Sequence, residues 1–156
     1  GENEVIPMAA DGAKRIREIL LVEDNVGEVR LMEEILKENS IHHNLHSVRN
    51  GQEALAFLRR EEGYTNAPRP DLILLDLNLP KMEGRRLLKT LKEDPLLRRI
   101  PVMVLTASEN PEDILHSYDL HANGYLIKPT DLEQFSQAMR AVIHFWFEVA
   151  ALSGER

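Results

Sequence analysis

The sequence predicts an α/β protein with a doubly wound, five-stranded parallel sheet and five helices. Short apolar runs alternate with amphipathic helical segments five times after Arg17, as in parallel sheets covered by helices on both faces. The apolar run at residues 72–75, Leu-Ile-Leu-Leu, has no polar break, which is typical of a strand buried on both sides.

The order of the strands follows from the rules of chain connection. Crossover connections between parallel strands are right-handed almost without exception, so few arrangements remain, and we expect the flavodoxin-like order 2-1-3-4-5. In this order the ends of the first and third strands lie side by side. The predicted strands cover residues 19–22, 45–48, 72–75, 102–105 and 125–127.

Capping and turn residues predict where the helices begin. The five helices start near Asn25, Asn50-Gly51, Gly84, Pro111 and Asp131. We expect the first helix to end near Ser40 and the third to stop at Asp94-Pro95, and residues 61–70 to form a polar loop.

Length and composition restrict the class of protein. A chain of 156 residues suits one domain with its own core. The net charge of −7 argues against nucleic-acid binding, and no apolar run approaches the length that spans a bilayer. Cysteine is absent, which fits a reducing compartment. We therefore expect a cytoplasmic protein whose partners are neither nucleic acid nor membrane.

The predicted domain covers residues 16–152. Residues 1–15 are small and polar without a period, which indicates a flexible lead, and Gly1 ahead of an internal Met8 suggests that part of it remains from cloning. Residues 153–156 form a short tail. Because the chain stops at Arg156, we expect no output domain.

Chemically active residues follow the predicted strands at one edge of the sheet. Glu23 and Asp24 come after the first strand, Asp76 after the third, Thr106 after the fourth and Lys128 after the fifth. Ligands of open α/β sheets bind at the carboxyl ends of the strands. Three carboxylates, a hydroxyl and an ammonium at this edge predict a site for magnesium and a phosphoryl group.

Each residue type has a role in that chemistry. Asp24, Asp76 and a backbone carbonyl, assigned to Asn78, would hold Mg²⁺, with Glu23 reaching it through water. Without metal, two carboxylates about 4 Å apart repel by roughly 4 kcal/mol at an effective dielectric constant near 20, which should raise a carboxyl pKa. Asp76 is the predicted nucleophile that forms an acyl phosphate.

Two further residues would contact the phosphoryl group. Lys128 supplies a positive charge to its oxygens, and Thr106 supplies a hydrogen bond. Gly27 and Asn78 lie at the predicted entrance, where side chains tune the attack of water on the acyl phosphate.

At these residues the chain resembles the receiver domains of bacterial two-component response regulators over residues 17–150. The matching motifs are Glu23-Asp24, Asp76 with Pro80 and Gly84, Thr106-Ala107 and Lys128-Pro129. The resemblance implies that a histidine kinase phosphorylates Asp76, that Thr106 then moves toward the phosphate, and that Tyr125 turns inward. It also suggests a cis peptide at Lys128-Pro129. Glu23 and Glu83 stand where aspartate is commoner.

The last helix predicts a contact with a partner. Residues 131–150 would form a helix of about 30 Å, longer than the strands beneath it. Leu132, Phe135, Met139, Val142 and Trp146 share one stripe, whereas Phe145 and Phe147 fall on either side of it.

With Tyr118, the aromatic residues Phe145, Trp146 and Phe147 form the predicted partner surface. The resemblance places pairing and switched binding on the fourth helix, fifth strand and fifth helix, and we expect a homodimer. This region is similar to the small response regulators of phytochrome-type kinases.

Simpler interpretations of single motifs remain. Asp24-Asn25 has the form of a helix cap, and Lys128 that of a surface lysine. His42, His43 and His46 suggest a metal site, but no acid or cysteine completes it, and we expect them at the rim of the second strand.

Two other functional classes share part of the pattern. Aspartate-nucleophile phosphatases use similar residues but place a general acid where this chain has Asn78. An inert interaction module would not need the complete set of site residues. We expect a phosphoacceptor that assists its own Mg²⁺-dependent phosphorylation and dephosphorylation, and no turnover of a separate substrate.

Overall fold

The computed structural model describes residues 15–38, 42–80 and 82–153. The strands are β1 (Arg17–Val22), β2 (His43–Val48), β3 (Leu72–Leu75), β4 (Val102–Thr106) and β5 (Gly124–Ile127). The helices are α1 (Val26–Lys37), α2 (Gly51–Arg59), α3 (Gly84–Glu93), α4 (Pro111–Asp119) and α5 (Leu132–His144), and a π-helical turn, Phe145–Val149, continues α5.

The strands form one parallel sheet in the order β2-β1-β3-β4-β5, which confirms the predicted topology. Val22 pairs with Leu75, and Leu75 pairs with Val104. The last residues of β1 and β3 are therefore level, and β4 continues two residues beyond them, to Thr106. The residues that follow β1 and β3 emerge side by side at the edge that Thr106 also reaches. Because β2 and β5 are the outer strands, each has one side without a strand neighbour.

The core consists of two apolar layers, one on each face of the sheet. All four residues of β3 are buried, and they alternate between the layers because successive side chains of a strand point to opposite faces. Ile73 and Leu75 pack with α2 and α3, whereas Leu72 and Leu74 pack with α1 and α5. Helix α4 buries little beyond Ser117.

Several predicted boundaries shift by a few residues. Strand β2 begins at His43, two residues before the predicted start, because its pairing with β1 extends to Arg17. Helix α1 ends at Lys37, and the predicted end, Ser40, lies outside the described residues, as do residues 1–14 of the predicted lead and residues 154–156 of the tail.

The prediction of a cis Lys128-Pro129 peptide is wrong, since no cis peptide bond occurs among the described residues. A bond before proline still favours the trans form by about 0.5–1 kcal/mol. No helix within the described ranges combines the length and apolar character needed to cross a membrane.

The last helix does not keep one apolar stripe to its end. The Ala150 N–H donates to the Phe145 carbonyl, five residues back, which widens the turn. Phe147 is only 6% exposed and packs in the core with Ile143, four residues earlier, whereas Phe145 is 49% exposed. The assignment of Phe147 to a partner surface is wrong for this reason. Leu132, predicted on the buried stripe, is exposed.

Candidate phosphoryl and metal site

Glu23, Asp24 and Asp76 converge at the carboxyl edge of the sheet. One ligand oxygen from each lies within 4.8 Å of the other two. The pairing of β1 with β3 continues past the strand ends, because the Asp76 N–H donates to the Val22 carbonyl at 3.1 Å. This backbone hydrogen bond places Asp76 beside the residues that follow β1.

The carboxyl group of Asp76 is harder to ionise than an ordinary aspartate. Burial raises its pKa, and the negative charge of Asp24 adds to this effect. The Asn78 N–H, which donates to Asp76 Oδ1 at 3.2 Å, and the charge of Lys128 act in the opposite direction. The rise that the sequence predicted is confirmed, but burial contributes more to it than like-charge repulsion.

Glu23 is the most deeply buried of the three acids. Burial raises its pKa, and the charge of Asp76 raises it further, while Lys128 opposes the shift. Its Oε2 accepts a hydrogen bond from the Asn25 N–H at 3.2 Å. Glu23 is thereby fixed in place.

Lys128 reaches this edge from the end of β5. Its Nζ lies 3.3 Å from Glu23 Oε1 and 3.1 Å from Glu28 Oε1. Burial alone would lower the pKa of Lys128, but Glu23, Glu28 and Asp76 together raise it above its usual value. The ammonium is therefore a permanent positive charge at neutral pH.

Glu28 is a residue of this site that the sequence analysis missed. It lies in the first turn of α1, where an acid is expected simply to complement the helix N-terminus. An acidic residue one turn after a cap was the only available signal, and it did not indicate a contact with a lysine 100 positions away.

Thr106 and Tyr125 are linked through Ser108. Thr106 is buried, and its Oγ1 accepts a hydrogen bond from the Ser108 N–H at 3.3 Å. The Tyr125 hydroxyl donates to the Ser108 carbonyl at 3.0 Å. The two predicted switch residues thus contact the same residue of the loop after β4.

A second polar group that the sequence analysis missed joins this loop to α3. Asp113 accepts hydrogen bonds from the Ser108 hydroxyl and from the Arg85 guanidinium, each at 2.5 Å. These three residues line a cavity of about 480 Å³ that Asn78 and Thr106 also border. Since Arg85 and Asp113 belong to different helices, no local sequence signal connects them.

The acidic cluster suits a divalent metal ion. Its oxygen-only donor set matches the preference of hard cations such as Mg²⁺, and the raised pKa values of Glu23 and Asp76 reflect burial beside other negative charges. Among the described residues this is the one group of three such side chains close enough to share an ion. His46 instead lies 2.8 Å from Glu18.

The fold and the site together define the class: a doubly wound α/β protein with acidic residues, a hydroxyl and a lysine at the carboxyl edge of its sheet. A family model described as the response regulator receiver domain matches residues 19–140, and the chain belongs to this family. It is thus a receiver of two-component signal transduction.

Relatives of similar length support this assignment. The chain is 48% identical to Response regulator Rcp1 of Synechocystis sp. over 134 residues, which cover 86% of this chain and 91% of the relative. It is 37% identical to the probable methanogenesis regulatory protein FilR2 of Methanothrix harundinacea, with 82% of each chain covered.

Solved structures of response regulators share this fold. The phosphorylated cyanobacterial phytochrome response regulator RcpA superposes with a TM-score of 0.86 at 49% identity, with 90% of this chain and 100% of that chain covered. The Mn²⁺-bound form of Rcp1 gives a TM-score of 0.83 at 46% identity, covering 88% and 99%.

Proposed function

We propose that this receiver accepts a phosphoryl group on Asp76 from a phytochrome-type histidine kinase. The observation that carries the proposal is the position of Asp76, beside two other acids and in the field of Lys128, at the sheet edge. RcpA is a phytochrome response regulator, and its 49% identity to this chain supports the kinase type.

The transfer itself needs one nucleophile and one charge partner. An Asp76 carboxylate oxygen attacks the phosphorus, an O–P bond forms, and the bond from phosphorus to the donor's leaving atom breaks. The leaving atom is an imidazole nitrogen when the donor is a phosphohistidine. Lys128 then faces the phosphoryl oxygens of the acyl phosphate, and Thr106 donates a hydrogen bond to one of them.

The proposed metal is Mg²⁺, held by Glu23, Asp24, Asp76 and the backbone carbonyl of Asn78. When bound, it neutralises charge on the phosphoryl oxygens during transfer. The Mn²⁺-bound form of Rcp1 supports a divalent ion in this family. We assign no separate substrate turnover, because the side chain two residues after Asp76 is the amide of Asn78, which is not a general acid.

We propose that phosphorylation changes a binding surface on α4, β5 and α5. Helix α4 buries little, so Leu115 and Tyr118 are largely exposed, and β5 is an edge strand on which Ile127 is partly exposed. Phe145 and Trp146 form an edge-to-face pair at the end of α5. Clustered exposed apolar side chains of this kind favour protein contacts, and we propose a second copy of the chain as the partner.

Phosphoryl uptake is the direct test of the acceptor. The protein is incubated with acetyl phosphate with and without Mg²⁺, and intact mass is measured. We expect the mass gain of one phosphoryl group in the presence of Mg²⁺ and no gain in Asp76→Asn. An equal gain in Asp76→Asn would place the acceptor elsewhere.

Molar mass tests the proposed dimer. Light scattering after size-exclusion chromatography should give twice the mass of the chain, and Tyr118→Ser with Phe145→Ser should give a monomer. Leu96→Ser removes an exposed apolar side chain outside the α4-β5-α5 surface and serves as the control. A wild-type monomer both before and after phosphorylation would refute the homodimer.

A further inference from the structure

We propose that Glu28 is a positioning residue for phosphoryl transfer: it holds the ammonium of Lys128 against α1 and competes with the phosphoryl oxygens for it. This inference rests on the proposed function and adds to the site a residue outside the carboxylate cluster.

The shortest ion pair of Lys128 is with Glu28 on α1, and Lys128 forms none with the phosphoacceptor Asp76 within the described residues. Its Nζ lies closer to Glu28 Oε1, at 3.1 Å, than to Glu23 Oε1, at 3.3 Å. In the described part of the chain its ion pairs go to these two residues and not to Asp76. The lysine side chain is only 17% exposed, so its ammonium is poorly hydrated and depends on these carboxylates.

The carboxylate of Glu28 is free for this role because another residue completes the helix cap. Asn25 Oδ1 accepts the Glu28 N–H at 3.0 Å, which makes Asn25 the N-cap and Glu28 the third residue of the helix. In a capping box that third residue returns a bond to the N–H of the cap. Here the Asn25 N–H donates to Glu23 instead, and the Glu28 carboxylate turns to Lys128.

A phosphoryl group on Asp76 would compete with Glu28 for the ammonium group of Lys128. Lys128 has three N–H donors, and each one directed at Glu28 is lost to the phosphoryl oxygens. Glu28 should therefore destabilise the phosphorylated protein relative to the unphosphorylated protein. Glu28→Gln keeps the shape of the side chain and removes its charge, so it should release Lys128.

Binding of beryllofluoride, which mimics a phosphoryl group, measures this competition. With Mg²⁺ present, ¹⁹F NMR gives the concentration that half-saturates the site. We expect Glu28→Gln to lower this concentration about two- to fivefold, as for a partly exposed ion pair. Glu28→Asp, which keeps the charge, should fall between Glu28→Gln and the wild type.

Two controls separate the contact from a general effect of charge. Glu33→Gln removes the same charge from an exposed position on the same helix. Titrations at about 0.5 M salt, where the Debye length is roughly 4 Å, suppress effects that do not depend on contact. Equal gains in Glu28→Gln and Glu33→Gln would overturn the inference.

A double-mutant cycle tests whether Glu28 acts through Lys128. In a Lys128→Met background the effect of Glu28→Gln should vanish, and an effect of unchanged size would overturn the inference. If Lys128→Met does not bind at all, the comparison with Glu33→Gln decides. Failure of the wild type to bind would overturn the proposed function too, whereas normal binding with an unaltered Glu28→Gln affinity would overturn this inference alone.

Discussion

The hydroxyl of Tyr125 is joined to the hydroxyl of Thr106 through the backbone of one residue, Ser108. Tyr125 donates to the Ser108 carbonyl at 3.0 Å, and the Ser108 N–H donates to Thr106 Oγ1 at 3.3 Å. A movement of Thr106 toward a phosphoryl group would deprive the Ser108 N–H of its acceptor. Two hydrogen bonds therefore connect Tyr125, on the edge strand β5, to Thr106, which is predicted to contact the phosphoryl group.

Tyr125→Phe should lower the free energy of unfolding by about 1 kcal/mol, because one hydrogen bond is lost while the ring packing is kept. Urea unfolding measures the difference. Tyr118→Phe, in which the ring is largely exposed, should change it little. Equal losses in the two variants would contradict a structural role for the Tyr125–Ser108 bond.

The Arg85–Asp113 pair should stabilise the loop after β4. A double-mutant cycle of Arg85→Ala and Asp113→Ala is expected to give a coupling energy of about 1 kcal/mol, since Asp113 is mostly buried and also binds Ser108. The exposed pair of Arg49 and Glu53 is the control, with an expected coupling of at most about 0.5 kcal/mol. Coupling no larger than in the control would show that the contact is incidental.

Asp76→Asn should stabilise the metal-free protein at neutral pH. The pKa of Asp76 is raised in the folded state, so the stability that this group contributes is present at low pH and is lost as pH rises through its folded pKa. In EDTA, the gain from Asp76→Asn should be near zero at about pH 4 and should grow as the pH rises toward 7.

Thermal or urea unfolding across this pH range checks the sign. With Mg²⁺ added, the wild type should gain stability by mass action and Asp76→Asn should gain less. A gain that does not depend on pH would show that ionisation of Asp76 is not its cause.

Gly84 is required by close packing beside the acceptor. A Cβ at this position would lie 2.6 Å from the Asp76 carbonyl oxygen and 2.6 Å from the Leu77 Cα, both of which are backbone atoms. Gly84→Ala should therefore cost about 2–3 kcal/mol of stability. Gly27 also lies in the first turn of a helix, but a Cβ there would come within 4 Å only of the side-chain oxygen of Asn25, at 3.2 Å, so Gly27→Ala should cost clearly less. Similar costs for both would contradict this explanation.

The sequence predicts most of the sheet because buried parallel strands are uninterrupted apolar runs. It also brings Glu23, Asp24 and Asp76 together, since topology alone fixes which strand ends are neighbours. The structure supports this convergence. The assignments of chemical roles to these residues stay predictions until they are tested.

Other features depend on side-chain directions or distant contacts that no local pattern carries. Arg85 and Asp113 meet across 28 residues, and Glu28 contacts Lys128 across 100 residues. The bond from the Asn25 N–H that a capping box would direct to Glu28 goes to Glu23 instead. Phe147 is buried with Ile143, four residues earlier, whereas the predicted apolar stripe ran through Val142 to Trp146.

The central claim is that Asp76 carries the phosphoryl group, and mapping the modified residue tests it most directly. The protein is phosphorylated with acetyl phosphate and Mg²⁺, the acyl phosphate is reduced with borohydride, and peptides are sequenced by mass spectrometry. Reduction converts a phosphorylated aspartate into homoserine. We expect homoserine at position 76 and unmodified aspartate at position 24; homoserine at position 24, or at neither position despite phosphoryl uptake, would contradict the proposed site.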